Sequence, residues 1–199
     1  AQSQDLLSSA QELSQVQGWW YHSDFVEITE LYEDGQYYVL HDYGGGVLDP
    51  TVIQVLDALT GQVVDSFQSY GHHQWLKAAD LRPDFAGQEI VYVTREKVIM
   101  LSSTLGLIWE RALSGAHELG LGDWNGDGRE DIIVTTIFRG LKRFAGADSN
   151  FVVYDAYGAP IFNMLYRYPE GGKYAGAQMQ TAMREIQDRD HDGCVDVPV

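Results

Sequence analysis

Cysteine is nearly absent from this chain: Cys194 stands alone, so neither an internal disulfide framework nor a thiolate metal cluster can be built. Positive charge is also scarce. Thirteen Lys and Arg face 29 Asp and Glu, a formal charge of −16. Nucleic acid and anionic membrane surfaces reward clustered Lys and Arg, so this balance argues against both as partners. No run of about 18 apolar residues is present, which argues against membrane insertion by a helix. No nucleophile elbow, phosphate-binding loop or zinc signature appears either. The Gly44-Gly45-Gly46 run lacks the strand-to-helix context of a phosphate cradle and reads as a plain loop.

What the chain has in quantity is carboxylate, and its spacing is informative. In Gly122-Asp123-Trp124-Asn125-Gly126-Asp127-Gly128-Arg129-Glu130-Asp131, oxygen-bearing side chains stand at relative positions one, three, five and nine, counted from Asp123. A hard cation such as Ca²⁺ takes six to eight oxygen ligands, which a short loop supplies only by curling on itself. Asp123, Asn125, Asp127 and Asp131 are the candidate side-chain ligands, and Arg129 would give its backbone carbonyl. An EF-hand needs an acid at position twelve; here that is Val134, inside the β-branched run Ile132-Ile133-Val134. The reading is a calcium loop feeding a strand. The alternative is an Asp/Asn/Gly turn without metal.

The pattern recurs at Asp188-Arg189-Asp190-His191-Asp192-Gly193-Cys194-Val195-Asp196, position for position. Asp188, Asp190, Asp192 and Asp196 would be the side-chain ligands, with the Cys194 carbonyl at position seven. Two ions are therefore expected. Asp80 to Glu89 is a weaker relative, with leucine second and arginine third, and reads as a structural turn that has lost its ion.

Around these loops the chain repeats. Hairpins are expected at Val52–Asp57 with Val63–Phe67, at Lys97–Ser102 with Leu107–Glu110, and at Asn150–Asp155 with Pro160–Phe162. Each is followed by a polar segment and an acidic loop that leads into a strand, at Glu89–Val93, Asp131–Val134 and Asp196–Val199. Asp80 and Asp123 lie 43 residues apart. Four short strands per unit with a period in the forties is the pattern of propeller blades. The third unit carries inserts around Arg139–Ser149 and Tyr168–Gln180, the expected place for partner contacts. Upstream, Gln4–Gln17 has the apolar spacing of a helix, and Phe25–Tyr32 and Gln36–His41 read as strands around Glu33-Asp34-Gly35. The aromatics between Trp19 and Phe25 read as core or interface anchors. The expected fold is thus mainly β: a short N-terminal helix (1–17) and an incomplete β-propeller (18–199) of about three four-stranded blades, clearest over 50–199.

The Gly-Asp-Trp-Asn-Gly-Asp-Gly-Arg-Glu-Asp run and its partner resemble the FG-GAP/VCBS repeats, the calcium-loop blades of integrin-α-like propellers. Related blades occur in secreted bacterial proteins, including rhamnogalacturonan-lyase-like polysaccharide lyases. The resemblance implies Ca²⁺ held at the blade rim by the two ligand sets above. Family propellers have more blades than these three, and an open arc leaves strand edges and half a core uncovered. Other copies, other subunits or further chain would complete it.

Candidate catalytic groups are few. His72 and His73, adjacent and facing opposite ways if on a strand, read as structural. His117 and Glu118 read as turn residues. His22 and His41 are isolated, and His191 sits within a loop. The function expected is a non-catalytic module for adhesion, assembly or binding of a protein or glycan. A chain starting at Ala1 is consistent with a removed export signal, and calcium sites suit an extracellular, cell-surface or periplasmic setting. Two other readings stay open. One is part of a polysaccharide lyase using Arg139, Lys142, Arg143, Tyr166, Arg167 and Tyr168. The other is a subunit of a filament or large complex.

Overall fold

A computed structural model describes residues 25–43, 50–136 and 148–167 together with positions 188, 190, 194 and 195. Twelve strands and no helix are found among them. They form three four-stranded antiparallel sheets, each built from four consecutive strands. The first contains β1 (Val26–Thr29), β2 (Tyr38–Tyr43), β3 (Pro50–Asp57) and β4 (Val63–Tyr70). The second contains β5 (His73–Ala79), β6 (Glu89–Thr94), β7 (Lys97–Leu101) and β8 (Leu107–Ala112). The third contains β9 (Ala116–Gly122), β10 (Asp131–Thr136), β11 (Asp148–Tyr154) and β12 (Pro160–Arg167).

The three expected hairpins are β3–β4, β7–β8 and β11–β12. The expected strand over Phe25–Tyr32 is shorter, ending at Thr29, and its partner begins at Tyr38. The reason is local: the Glu30 carboxylate turns back to accept the Gly35 amide, so the intervening residues make a loop. The polar segments before the acidic loops are strands in their own right, β5 and β9. Each pairs with the strand that follows its loop. Their sequences hide this because β9 needs small residues where another segment comes close. A Cβ on Gly122 would lie 2.6 Å from Cγ1 of Val195. Asp148 and Ser149, expected in an insert, open β11. The expected N-terminal helix, Gly44–Gly46, the strand at Asp196–Val199 and the Tyr168–Gln180 insert lie outside the described residues. The described residues make three sheets and no closed ring.

Alternation explains the stacking. In an extended strand successive side chains point to opposite faces, so a strand buried at every position must be covered on both. All six residues of β6 are buried. Ile90 and Tyr92 pack with Leu40, Ile53 and Val55 of the first sheet. Val91 and Val93 pack with Leu119, Ile132 and Val134 of the third. The second sheet is therefore the middle layer. Its first strand β5 contacts both β1 and β9, bringing the first strands of successive sheets together. Polar contacts tie the layers: Ala78 donates its amide to Oε2 of Glu27 (3.0 Å), and the Trp109 indole donates to the Ala156 carbonyl (3.1 Å). Arg111 Nε donates to the carbonyl of Gly158 (2.7 Å) in the β11–β12 turn.

The two end faces differ. On the third sheet Ile133, Phe151 and Val153 are buried, packed with Trp124, Phe162 and Val195. On the first sheet Val26 and Ile28 are 57% and 63% exposed. Neighbouring β6 residues provide a test of the middle layer. Ile90→Ala should cost about 2–5 kcal/mol in urea unfolding, and Val91→Ala should also destabilise clearly, though less. A sheet covered on one face only would register one of the two substitutions and ignore the other.

Candidate metal centre

The loop Asp123–Glu130 joins β9 to β10, and the pair Gly122↔Asp131 closes its base. The Asp123 carboxylate organises it. Oδ1 accepts the amides of Gly126 (2.8 Å) and Asp127 (3.2 Å), and Oδ2 accepts that of Gly128 (2.7 Å). Asn125 Oδ1 accepts the Asp127 amide, and Asp127 Oδ1 accepts the Arg129 amide, both at 2.9 Å. Gly126 and Gly128 take φ of +76° and +83°, which lets the backbone curl around the carboxylate. At position two, Trp124 anchors the loop on Phe162 and Phe151, with ring centroids 5.1 and 5.4 Å away. Its amide donates to Oδ2 of Asp131 (3.1 Å).

Asp131 is buried at the head of β10. Desolvation pushes its pKa from 3.8 up to about 6, reinforced by Asp127 and Asp123 and opposed by the Trp124 amide. Such a carboxyl is short of positive charge, and a cation beside it would restore its ionised form. The donor set suits a hard ion: Asp123, Asn125, Asp127 and Asp131 offer oxygen only. Asp127 Oδ2 accepts no hydrogen bond among the described residues. The same amide bonds also make a self-sufficient turn, with no pre-set cluster of three His, Cys, Asp or Glu side chains among the described residues. Of the ten expected site residues, Asp123, Asn125, Asp127 and Arg129 lie in this one loop and Asp131 opens the strand that follows it.

Of the second acidic loop, Asp188 and Cys194 are half-buried and Asp190 is exposed; Asp192 and Asp196 lie outside the described residues. Its end is brought against the first loop. Val195 donates its amide to the Asp123 carbonyl (2.7 Å), and a Cβ on Gly126 would lie 3.0 Å from the Cys194 sulfur.

The pairs Thr29↔Tyr38, Ala79↔Glu89 and Gly122↔Asp131 place three loops at the same point of their sheets. Comparing them corrects two readings. Leucine at the second position of Asp80–Glu89 is no departure: Leu31, Leu81 and Trp124 hold the same anchoring place, and both leucines are buried. Glu30–Tyr37 is a further member that the sequence reading missed. Glu30 Oε1 accepts the Gly35 amide (2.8 Å) as Asp123 accepts that of Gly128, across the same spacing. Glutamate in the first place and Tyr38 in the closing place disguise it; Tyr38 donates its hydroxyl to Asp34 (2.8 Å). The middle loop carries its own cation. Arg82 pairs with Asp84 through Nε (2.7 Å) and sits 4.2 Å from the Tyr157 ring centroid. Successive loops also touch, since the Gln88 amide donates to the Leu31 carbonyl (2.9 Å).

Among the described residues the histidines make no comparable constellation. His73 is buried, and His72 Nδ1 lies 2.7 Å from the His73 carbonyl. His117 Nδ1 is 3.7 Å from Oε1 of Glu118, which is itself buried.

In comparisons with known proteins, the chain matches no family model and no curated protein. The assignment of the acidic loops therefore rests on their residues and geometry.

Two outcomes follow from the loop chemistry. Asp123→Ala takes the acceptor from the Gly126 and Gly128 amides, the Asp127 amide keeping Asn125 Oδ1, and without calcium it should cost about 1–3 kcal/mol in urea unfolding, with Asp123→Asn milder. Glu89 supplies the pH test. Its Oε2 accepts the Leu81 and Arg82 amides, yet Oε1 is buried with no partner among the described residues, and desolvation raises the pKa above 4.5. A raised carboxyl contributes stability in full below its unfolded value and loses it as pH climbs through the folded value. The stability of the native protein relative to Glu89→Gln should therefore be greatest near pH 4 and shrink toward pH 7. A difference that grows with pH would contradict this burial.

Proposed function

We propose that this chain is a calcium-stabilised, propeller-type module of the FG-GAP/VCBS kind, exported to an extracellular, cell-surface or periplasmic setting. It serves adhesion, assembly or binding of a protein or glycan partner, without catalysis. The observation that carries this reading is the Asp123–Asp131 loop: four oxygen-bearing side chains folded into one curl, with the buried carboxyl of Asp131 at its closing strand. Three sheets stacked through their first strands support the blade reading. In this role calcium is structural. It neutralises the loop and ties β9 to β10, and binding to the folded chain alone adds stability by mass action.

An assembly role draws separate support from the first sheet. Its outward face carries Val26 and Ile28 exposed, where the second and third sheets bury the matching faces on a neighbour. A partner of the same sheet type fits that face.

Elemental analysis and melting curves test the metal. With two sites filled at calcium well above Kd, the melting temperature should rise by about 5–10 °C over the chelated protein. Identical curves in excess chelator and in millimolar calcium, with no metal bound, would remove calcium from the account.

A further inference from the structure

We propose that the outward face of the first sheet is a dimer interface, paired in solution with the same face of a second copy of this chain; this deepens the assembly reading above. Counted back from the closing pairs of the three loops, Ile28 and Val26 hold the places of Ala78 and Leu76 in the second sheet. In the third sheet the same places belong to Leu121 and Leu119. All six residues are apolar. Leu76 and Ala78 pack on the first sheet, and Leu119 and Leu121 pack on the second. Among the described residues the first sheet has no sheet before it, and Val26 and Ile28 stand 57% and 63% exposed. Across the strands this face continues through His41, Gln54 and Ser66 beside Val26, and through Val39, Leu56 and Val63 beside Ile28.

Charge selects the occupant. The chain carries −16, so two copies repel unless they meet where neither is charged. No Asp, Glu, Lys or Arg stands in those two rows, nor in the next, formed by Tyr43, Val52 and Gln68. The carboxylates of the same strands alternate to the inner side. Glu27, Asp42, Asp57 and Asp65 stand opposite Leu40, Ile53, Tyr38 and Val55, all members of the core between the first two sheets. His41 is the side chain in these rows that ionises near neutrality, and desolvation holds its pKa below the usual imidazole value, uncharged. An uncharged face fits another uncharged face, and a second copy supplies an identical one.

The arrangement of the pair follows from the other end of the stack. The outward residues Ile133, Phe151 and Val153 of the third sheet are already packed with Trp124, Phe162 and Val195. A first sheet therefore meets a first sheet, a two-fold contact that closes at two copies, where first-on-third stacking would run on into a filament. Four strands about 4.8 Å apart and about 20 Å long present roughly 400 Å² per copy before side-chain relief is counted, a size that suits a reversible dimer.

Sedimentation of the intact chain from about 1 to about 300 µM, at low salt and at about 0.15 M, tests the pairing. Monomer should give way to dimer as concentration rises, with nothing larger. Salt should tighten the dimer severalfold, because it screens the repulsion between copies and leaves the uncharged face untouched. Ile28→Lys puts a charge on the face while lowering the net negative charge of the chain. It should weaken the dimer about tenfold or more, although general repulsion falls. Val26→Thr, a milder change, replaces it if the native melting temperature is lost. Leu59→Lys carries the same charge in the β3–β4 turn, at a side chain 86% exposed, and should leave the dimer unchanged. A chain that stays monomeric at every concentration and both salts would overturn the dimer, as would one whose association ignores both face variants. Species that keep growing with concentration would indicate open stacking and also overturn it. Sedimentation is run in chelator, so failure of the dimer leaves the metal reading to the melting curves.

Discussion

Burial of both faces of a sheet governs how the chain can be arranged. A strand such as β6, with no exposed residue, offers Ile90 and Tyr92 to one neighbour and Val91 and Val93 to the other. Neither neighbour can be removed without returning half of that apolar surface to water. Sheets of this kind stabilise one another in series, as in repeat architectures where each unit leans on the next. The ends of such a series are its exposed points. On the third sheet the outward residues Ile133 and Val153 are covered, and Val195 belongs to their cluster. On the first sheet Val26 and Ile28 have no such cover.

The loops follow from the same stacking. Bringing β1, β5 and β9 together brings the loops at the ends of those strands together, and polar backbone crowded at such a place needs partners. The chain supplies them with carboxylates. Glu30, Asp123 and Glu89 each accept loop amides, and an apolar residue beside each loop's start keeps it seated. Carboxylates gathered this way accumulate negative charge, which must be offset. Arg82 does so within the middle loop through Asp84. Among the described residues the Asp123–Asp131 loop has no equivalent: Arg129 is exposed and meets Asp127 through its backbone amide. The physical case for an external cation is strongest there.

Hairpins were legible in the sequence because apolar runs such as Val52–Leu56 and Val98–Leu101 alternate with glycine turns. First strands were not. β9 carries Gly120 and Gly122, and β5 mixes Gln74, Lys77 and two alanines, so neither shows strand propensity. Close approach to a neighbour selects small residues at such positions, and pattern reading takes them for linkers. The first acidic loop was legible down to the spacing of the oxygen-bearing side chains that accept its amides, but Glu30–Tyr37 was not. Glutamate reaches the Gly35 amide with one more methylene, and Tyr38 closes the loop by hydroxyl instead of carboxylate. Composition changed while the bond geometry stayed.

That substitution pattern bears on what the acidic loops are for. If they served only to cap backbone amides, a single glutamate would suffice, as Glu30 and Glu89 do for the Gly35, Leu81 and Arg82 amides in the first two sheets. The third sheet instead concentrates Asp123, Asp127 and Asp131, three short carboxylates that repel one another in so small a curl, around the neutral Asn125. Burial makes that repulsion costlier still at Asp131, whose pKa rises to about 6. An arrangement more acidic than its capping task requires is intelligible if a cation completes it. The Asp188–Asp196 stretch has the same excess, and its Val195 rests on the first loop. The four side chains that crowd around the loop amides of the third sheet are also the ones that a divalent ion would use.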